Sequence, residues 1–254
     1  ISNWRPVDLY EGIWCSGQLD FKNGTSPVNI DNSGEGTAID IAIDMVKQNA
    51  QSIIFTETRK RAASLAKKIE KMMPVLLNIE QSNDLSDLSK KLEKFGSDTD
   101  MNKLLIKLIK HGVAFHHAGV SNQQRQIIET GFKERKIKII CATPTLAAGV
   151  NLPARRVILS SYLRYDMKYG GMSPISVLDY KQMCGRAGRP QYDDRGETIL
   201  IANNESEQDS LFDHYINGDV EDIESALSNQ DSLRTHILAT ISSSQFGISK
   251  PRLL

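Results

Sequence analysis

The sequence has few cysteines, no net charge and no long hydrophobic run, and each shortage excludes a class of protein. Its three cysteines, Cys15, Cys141 and Cys184, are odd in number and form no CxxC pair. Neither a disulfide framework nor a zinc site is indicated, and a reducing cytoplasm fits. The formal net charge is +0, so a site for a polyanion must be a local patch. No apolar run approaches the ~20 residues that span a membrane, so we expect no membrane partner.

The 254 residues suffice for one large domain, or for one domain with part of a second. Hydrophobic residues make up 40% and charged residues 24%, as in ordinary globular proteins. The sequence does not begin with Met, and its first ten residues do not have the pattern of a signal peptide. We therefore expect a fragment of a longer protein.

Short apolar runs alternate with helical patterns from residue 36 onwards. The predicted strands lie in QSIIFTET, VAFHH, KIKIICAT, RVILS and GETILIA. Strands alternating with helices predict an α/β fold with a mainly parallel sheet covered by helices on both faces. A β-hairpin is predicted over Tyr162–Ile175, around Gly170 and Gly171. Residues 1–35 are predicted to be irregular, with short strands around Gly12–Phe21, and residues 206–254 to be helical.

Four loops follow strands of the predicted sheet, and ligands of open parallel sheets bind at the carboxyl ends of strands. These loops contain TETRKRA, HHAG, ATPTLAAGVN and, after the hairpin, QMCGRAGRP. We expect them to converge on one edge of the sheet. Such an edge suits a long ligand better than a small molecule in a pit.

The first two loops each have a functional and a structural interpretation. Thr58 and Arg59 begin a helix, where hydroxyls and backbone amides suit a phosphate. The alternative is a helix cap with a solvated basic face. His116 and His117 point to opposite faces of a strand, so a shared metal is disfavoured. Gly119 permits close approach of a polymer backbone, or simply makes a tight turn.

The last two loops are more specific. Thr143 and Thr145 offer hydroxyls, and Gly149 and Asn151 follow in a small-residue run; the alternative is a well-packed turn. A helix is predicted from Val177 to about Ala187, which places three polar side chains on one face at i, i+4 and i+7: Gln182, Arg186 and Arg189. Two guanidiniums flanked by glycines suit polyphosphate binding. The alternative is an ion pair with Asp193 or Asp194.

Together these stretches resemble the motifs of superfamily two helicases. IIFTETRKRA resembles motif IV, FHHAGV the stretch between motifs IV and V, ATPTLAAGVN motif V, and QMCGRAGRP motif VI, in the right order and spacing. The segment ATPTLAAGVNLPARRVI and the hairpin resemble those of helicases in the superkiller branch. Within that branch the sequence resembles the DNA repair members, namely the archaeal fork-repair helicases and the helicase half of DNA polymerase theta. The segment NWRPVDLYEG resembles the linker of those proteins.

The resemblance implies a domain organisation and residue roles. Residues 1–35 would be a linker from a missing first RecA-like domain, 36–205 the second RecA-like domain, and 206–254 a helical extension that begins a winged-helix domain. Arg186 and Arg189 would be arginine fingers for ATP, which the first domain mainly holds together with Mg²⁺. Other roles are implied for Gln182 (positioning), for Gly149 and Asn151 (nucleotide contact), and for Thr58, Arg59, His117, Gly119, Thr143, Thr145, Tyr165 and Tyr169 (nucleic-acid contact).

The implied protein is a monomeric ATP-dependent 3′–5′ helicase that acts on single-stranded and forked DNA, with the hairpin separating strands. The sequence contains no G-x-x-x-x-G-K-[ST] loop and no Asp-Glu-x-His box, so we expect no ATP hydrolysis by this chain alone. Two alternatives remain open. One is an RNA helicase of the same branch, and the other is a non-catalytic nucleic-acid-binding or protein-binding module on a RecA-like scaffold.

Overall fold

The computed structural model describes residues 5–95, 99–149, 152–166, 170–190, 192–221 and 230–243. By internal contacts the chain divides into two compact units, the first ending at Asp219 and the second beginning at Val220. The second unit contains, among its described residues, helix α9 (Gln230–Ser243). No helix within the described ranges is both long and apolar enough to cross a membrane.

An eight-stranded sheet forms the centre of the first unit. Its strands are β1 (Asp8–Cys15), β2 (Gln18–Phe21), β3 (Val28–Asn29), β4 (Ser52–Phe55), β5 (Val113–His116), β6 (Ile139–Ala142), β7 (Arg156–Leu159) and β10 (Arg195–Ile201). Across the described sheet the order is β3-β2-β1-β10-β7-β4-β6-β5. The six strands from β1 to β5 in this order are parallel, and β2 and β3 add an antiparallel edge. The predicted mainly parallel α/β fold is confirmed.

Helices connect the parallel strands, as right-handed crossovers require. Their bounds are α1 (Thr37–Lys47), α2 (Arg59–Glu70), α3 (Ile79–Glu93), α4 (Asp100–Lys110), α5 (Asn122–Lys133), α6 (Thr145–Gly149), α7 (Val177–Cys184) and α8 (Glu205–Leu211). A 3₁₀ turn covers Met73–Val75 and a π-helical turn covers Phe212–Ile216. Strands β4, β5, β6 and β7 are buried at every position, so helices cover both faces of the sheet centre.

The first 35 residues contribute more to the sheet than their sequence predicts. Strand β1 pairs in parallel with β10, with Asp8 opposite Arg195 and Trp14 opposite Ile201. The predicted short strands around Gly12–Phe21 are present, but the first begins earlier, at Asp8, and belongs to the central sheet; residues 22–27 and 30–36 contain neither helix nor strand, as predicted. Its pairing partner lies almost at the other end of the unit, so no local pattern announces it.

The first unit also continues beyond residue 205. Helix α8 packs against β1, and the π-helical turn packs against α7 and β1. The predicted division at 205/206 therefore falls inside the unit, which ends at Asp219. Apolar side chains carry this packing, since Leu211, Tyr215 and Ile216 are buried.

The predicted hairpin is present. Strand β8 (Leu163–Asp166) pairs antiparallel with β9 (Gly171–Pro174) as a separate two-stranded sheet. At its base the Ile175 N–H donates to the Tyr162 carbonyl over 2.8 Å.

Candidate nucleotide and nucleic-acid interface

The carboxyl ends of β4, β6 and β5 place three predicted loops side by side. These strands are neighbours in the sheet, and Thr58, Thr143 and His117 follow their last residues. We call this row the carboxyl edge. The predicted convergence of these three loops is confirmed.

Thr58 is the N-cap of α2. Its hydroxyl oxygen accepts a hydrogen bond from the Arg61 N–H over 3.1 Å, so the capping interpretation holds for this side chain. The first helical residues, Arg59, Lys60 and Arg61, are exposed, and the first turn contains no acidic residue. Three cations at the positive end of a helix dipole repel that dipole, and a bound anion offsets the repulsion.

His117 is a buried, neutral hydrogen-bond donor beside this helix start. Its ring stacks on Phe115 with 5.2 Å between centroids, and its Nδ1 accepts from the Gly119 N–H over 3.1 Å. The ring proton therefore lies on Nε2, which has no hydrogen-bond partner in the described structure. Burial and the nearby Arg59 guanidinium lower the pKa of His117.

His116 points to the other side of the strand. Its Nε2 lies 3.1 Å from Glu129 Oε1, and burial lowers its pKa although Glu129 opposes the shift. The two histidines thus have separate environments. Among the described residues no group of three or more His, Cys, Asp and Glu side chains has the arrangement of a metal site.

An open groove of about 1130 Å³ runs beside the carboxyl edge, between α2, α4 and the loop after β5. Its lining includes Arg59, Lys60, Lys67, Asn102, His117 and Gly119. Arg59 and Gly119 lie close together in this lining, since a Cβ on Gly119 would lie 3.6 Å from Arg59 Nη1. The groove is wide and basic, which suits an extended anionic ligand.

Thr143 and Thr145 form the start of the next loop. Their hydroxyl oxygens are 3.0 Å apart, and the Thr143 N–H donates to the His116 carbonyl over 3.2 Å. Thr143 is buried and Thr145 is exposed, so only Thr145 offers its hydroxyl to a ligand without rearrangement. Gly149 is the last residue of α6. Asn151 lies outside the described residues.

The stretch QMCGRAGRP departs from the predicted arrangement. Helix α7 ends at Cys184 and Gly185 is its C-cap. Ala187 then forms an isolated parallel bridge with Ala154, and Gly188 has a φ of 88°. The prediction that Gln182, Arg186 and Arg189 share one helix face is therefore wrong, because the chain leaves the helix before either arginine.

The Arg186 side chain is half-buried, and its guanidinium has a single hydrogen-bond acceptor in the described structure. Its Nε donates to the Ala147 carbonyl in α6 over 3.0 Å, and its Nη2 donates to the same oxygen. Burial lowers the pKa of Arg186, but the guanidinium stays charged at any physiological pH. Because both bonds converge on one carbonyl, part of the guanidinium donor set is left for a ligand. Gln182, one turn earlier, is exposed.

Arg189 is buried, and each of its three guanidinium nitrogens has an acceptor. Its Nε and Nη2 donate to the two carboxylate oxygens of Asp193 over 2.9 and 2.7 Å, and its Nη1 donates to Gln51 Oε1 over 2.5 Å. The ion-pair alternative is what the structure shows for this side chain. Gln51 also donates to the Phe132 and Ile137 carbonyls.

Arg189 also lies away from the carboxyl edge. Its partner Gln51 directly precedes β4, and Ala154, which bridges to Ala187, lies two residues before β7. A crossover helix runs antiparallel to its strands, so α7 carries the chain from the carboxyl ends to the amino ends. The expectation that QMCGRAGRP joins the other three loops at one edge is therefore not met at Arg189, whereas the Arg186 side chain contacts the loop after β6 through Ala147.

The hairpin projects exposed side chains. Tyr165 is 60% exposed and Met172 is 55% exposed, whereas Tyr169 lies outside the described residues. The hairpin base is braced from behind, because the Tyr162 hydroxyl donates to Glu207 over 2.5 Å and the Tyr215 hydroxyl donates to the Ile175 carbonyl over 2.9 Å. The sequence contained no signal for this brace, since its partners lie in separate segments.

Part of the first unit is similar to a helicase C-terminal domain. Residues 85–191 match the family model of the helicase conserved C-terminal domain, which includes three of the four motif stretches and begins after IIFTETRKRA.

The chain is also similar in sequence to two DNA helicases. The chain is 40% identical over 240 residues to the ATP-dependent DNA helicase Hel308 of Methanocella arvoryzae, which covers 94% of this chain and 32% of that protein. It is 37% identical over 241 residues to the ATP-dependent DNA helicase Hel308 of Pyrobaculum calidifontis, which covers 94% and 33%. The chain thus spans about a third of the length of these relatives. The predicted resemblance is confirmed.

Proposed function

We propose that this chain is the second RecA-like part of an ATP-dependent 3′–5′ DNA helicase that acts on forked DNA in repair. The observation that carries the proposal is the carboxyl edge, where Thr58, Arg59, Gly119 and Thr143 follow three neighbouring parallel strands. The two relatives are named ATP-dependent DNA helicases, which supports DNA as the substrate and ATP hydrolysis as the energy source. A cytoplasmic location and a monomeric state stay predictions.

The carboxyl edge and the groove bind the backbone of one DNA strand in this proposal. The exposed cations at the start of α2 lack an acidic neighbour in the first turn, and His117 Nε2 has no acceptor in the described structure. Phosphate oxygens beside the start of α2 neutralise the cations, and they accept from His117 Nε2 after a small movement of the buried ring. Contacts of this kind carry no sequence information, which suits a motor that moves along any sequence.

ATP would be held with Mg²⁺ mainly by a preceding RecA-like domain, to which residues 1–35 lead. Arg186 reaches the nucleotide from this chain, because its donors converge on a single carbonyl that a phosphate readily replaces. Arg189 serves as a second finger only after it parts from Asp193. Gln182, Gly149 and Asn151 contact or position the nucleotide, and the bound ATP supplies the free energy for domain closure.

The hairpin separates the strands. Its exposed Tyr165 and Met172 provide apolar surface that stacks against the last base pair. The hydrogen bonds of Tyr162 and Tyr215 hold the base of the hairpin in place while the strands are separated. Residues 220–254 begin a winged-helix domain in this proposal.

The proposed binding of the DNA backbone at the carboxyl edge is tested by the salt dependence of the affinity for single-stranded DNA. In the full-length protein, Arg59→Ala should weaken single-stranded DNA binding and reduce the slope of log Kobs against log salt by about 0.7, the value for one lost phosphate contact. Lys90→Ala is the matched control, because Lys90 is an exposed cation on α3 that pairs with Asp87. Equal slopes for Arg59→Ala and wild type would contradict the proposed contact between Arg59 and a DNA phosphate.

The substrate is tested by unwinding. The full-length protein should unwind a 3′-tailed DNA fork in the presence of ATP and Mg²⁺, and should not unwind a 5′-tailed fork. Preferential unwinding of the equivalent RNA fork favours the RNA helicase alternative. Nucleic-acid binding without any stimulated ATP hydrolysis favours the non-catalytic module.

A further inference from the structure

The backbone that carries the two motif VI arginines is held from one side by the sheet. We call residues 184–189 the arginine loop. The Ala154 N–H donates to the Arg186 carbonyl over 2.8 Å, and the Gly188 N–H donates to the Ala154 carbonyl over 2.7 Å. Gly196, at the start of β10, packs so tightly on the loop that a Cβ there would lie 2.4 Å from the Ala187 carbonyl carbon.

The arginine loop is also held by residues 5–7, which we call the entry segment. The Arg5 guanidinium Nη2 donates to the Cys184 and Ala187 carbonyls over 3.3 and 3.2 Å. Val7 is buried against Gly188, where a Cβ would lie 2.8 Å from Val7 Cγ1. Two separate contacts, one polar and one apolar, therefore join the entry segment to the loop.

The polar contact has the chemistry of a helix C-cap. Cys184 is the last residue of α7, so its carbonyl belongs to the negative end of the helix dipole. A cation that donates to this carbonyl complements the dipole. The same nitrogen also binds Ala187, which stands between the two arginines in sequence, so Arg5 bridges the helix end and the middle of the loop.

We propose that Arg5 is a positioning residue for Arg186 and Arg189, and that the entry segment transmits the movement of the preceding domain to the arginine loop. The inference rests on the proposed helicase function. Strand β1 begins at Asp8, directly after the entry segment, and pairs with β10, which begins at Arg195, shortly after the loop. Displacement of residues 5–7 therefore changes the loop backbone before it disturbs the sheet. Arg5 acts through the loop backbone and contacts no nucleotide.

The test compares Arg5→Ala with wild type in the full-length protein, with DNA-stimulated ATP hydrolysis as the readout. We expect kcat to fall about tenfold, because a misplacement of ~1 Å in a positioning element costs up to 10²-fold. The KM for ATP and the Kd for single-stranded DNA should stay within about twofold, since no binding contact is removed. Arg5→Lys should recover most of the rate, because an ammonium also donates to both carbonyls.

Lys68→Ala is the matched control. The Lys68 ammonium donates to the Glu35 carbonyl over 3.3 Å, a cation-to-carbonyl contact of the same length with no partner in the arginine loop. Its kcat should equal that of wild type. Thermal unfolding of every variant separates loss of fold from loss of rate.

Each outcome decides a different point. A kcat for Arg5→Ala within twofold of wild type overturns the inference, as does an equal fall for Lys68→Ala. If Arg5→Ala does not fold, Val7→Ala removes the apolar contact alone, and a folded Val7→Ala with the wild-type kcat overturns the inference. A wild-type protein without DNA-stimulated ATP hydrolysis contradicts the proposed function itself.

Discussion

Arg189→Ala should strongly destabilise the protein, because Arg189 is half of a buried ion pair. The side chains of Arg189 and Asp193 are 9% and 5% exposed. Removal of one partner of such a pair costs about 3–5 kcal/mol, since the other charge stays buried without its counterion. The change also removes the Nη1 donor from Gln51 Oε1, a loss of about 1 kcal/mol.

The control for this prediction is Arg186→Ala. Arg186 is bound to one carbonyl and forms no ion pair with a described acidic residue, so its removal should cost only about 1 kcal/mol. For a unit of this size, each kcal/mol lowers Tm by about 2–4 °C. We expect Tm to fall by about 8–24 °C for Arg189→Ala and by about 2–4 °C for Arg186→Ala.

Urea denaturation followed by circular dichroism measures both free energies of unfolding. The double variant Arg189→Ala with Asp193→Ala should be more stable than the sum of the single changes, by about 1–3 kcal/mol, because the second change removes the stranded carboxylate. A loss below about 1 kcal/mol for Arg189→Ala would refute the reasoning. It would mean that Arg189 is free in solution and needs no release from Asp193 to reach a nucleotide.

Three further predictions follow from the described contacts. Burial lowers the pKa of His117 from 6.5. The neutral ring therefore stabilises the fold fully above pH 6.5, and this stabilisation is lost as the pH falls towards the folded-state pKa. His117→Gln should flatten the slope of unfolding free energy against pH below 6.5. Tyr162→Phe removes the bond to Glu207 and should cost about 1–2 kcal/mol in a urea titration, with unwinding reduced more than ATP hydrolysis. Gly196→Ala places a Cβ against backbone atoms and should lower stability by about 1–3 kcal/mol, whereas Gly171→Ala, with open space around it, should leave Tm nearly unchanged.

The centre of the sheet was predictable because its strands are apolar at every position. The runs around SIIF, VAFH, IICA and RVIL became β4, β5, β6 and β7, and their burial on both faces removes the ambiguity of half-buried strands. Strand β1 was harder to recognise. Its pattern mixes exposed and buried positions, and its partner β10 lies more than 180 residues away, so only the complete sheet provides the missing hydrogen bonds.

The carboxyl-edge loops were also predictable in position, because a loop that follows a parallel strand must lie at that edge. Their roles as ligand contacts stay predictions. Thr58 illustrates the limit, since the same hydroxyl position serves a helix cap or a phosphate, and the structure shows the cap.

The end of α7 shows why spacing alone was insufficient. A helix of constant pitch would have placed Gln182, Arg186 and Arg189 on one face. Instead the Ala187 bridge to Ala154 and the positive φ of Gly188 end the helical path, and both depend on strands that pack beside the helix.

Local composition and periodicity thus determine which residues form the parallel core, which loops share an edge and where the cations are in the chain. The direction in which a cation points depends on long-range neighbours. Arg189 turns inward because Gln51, which precedes a distant strand, and Asp193, four residues on, together offer a counterion and an acceptor for each guanidinium nitrogen. A charge enters a low-dielectric interior only where such partners are already assembled, and folding of the whole sheet assembles them.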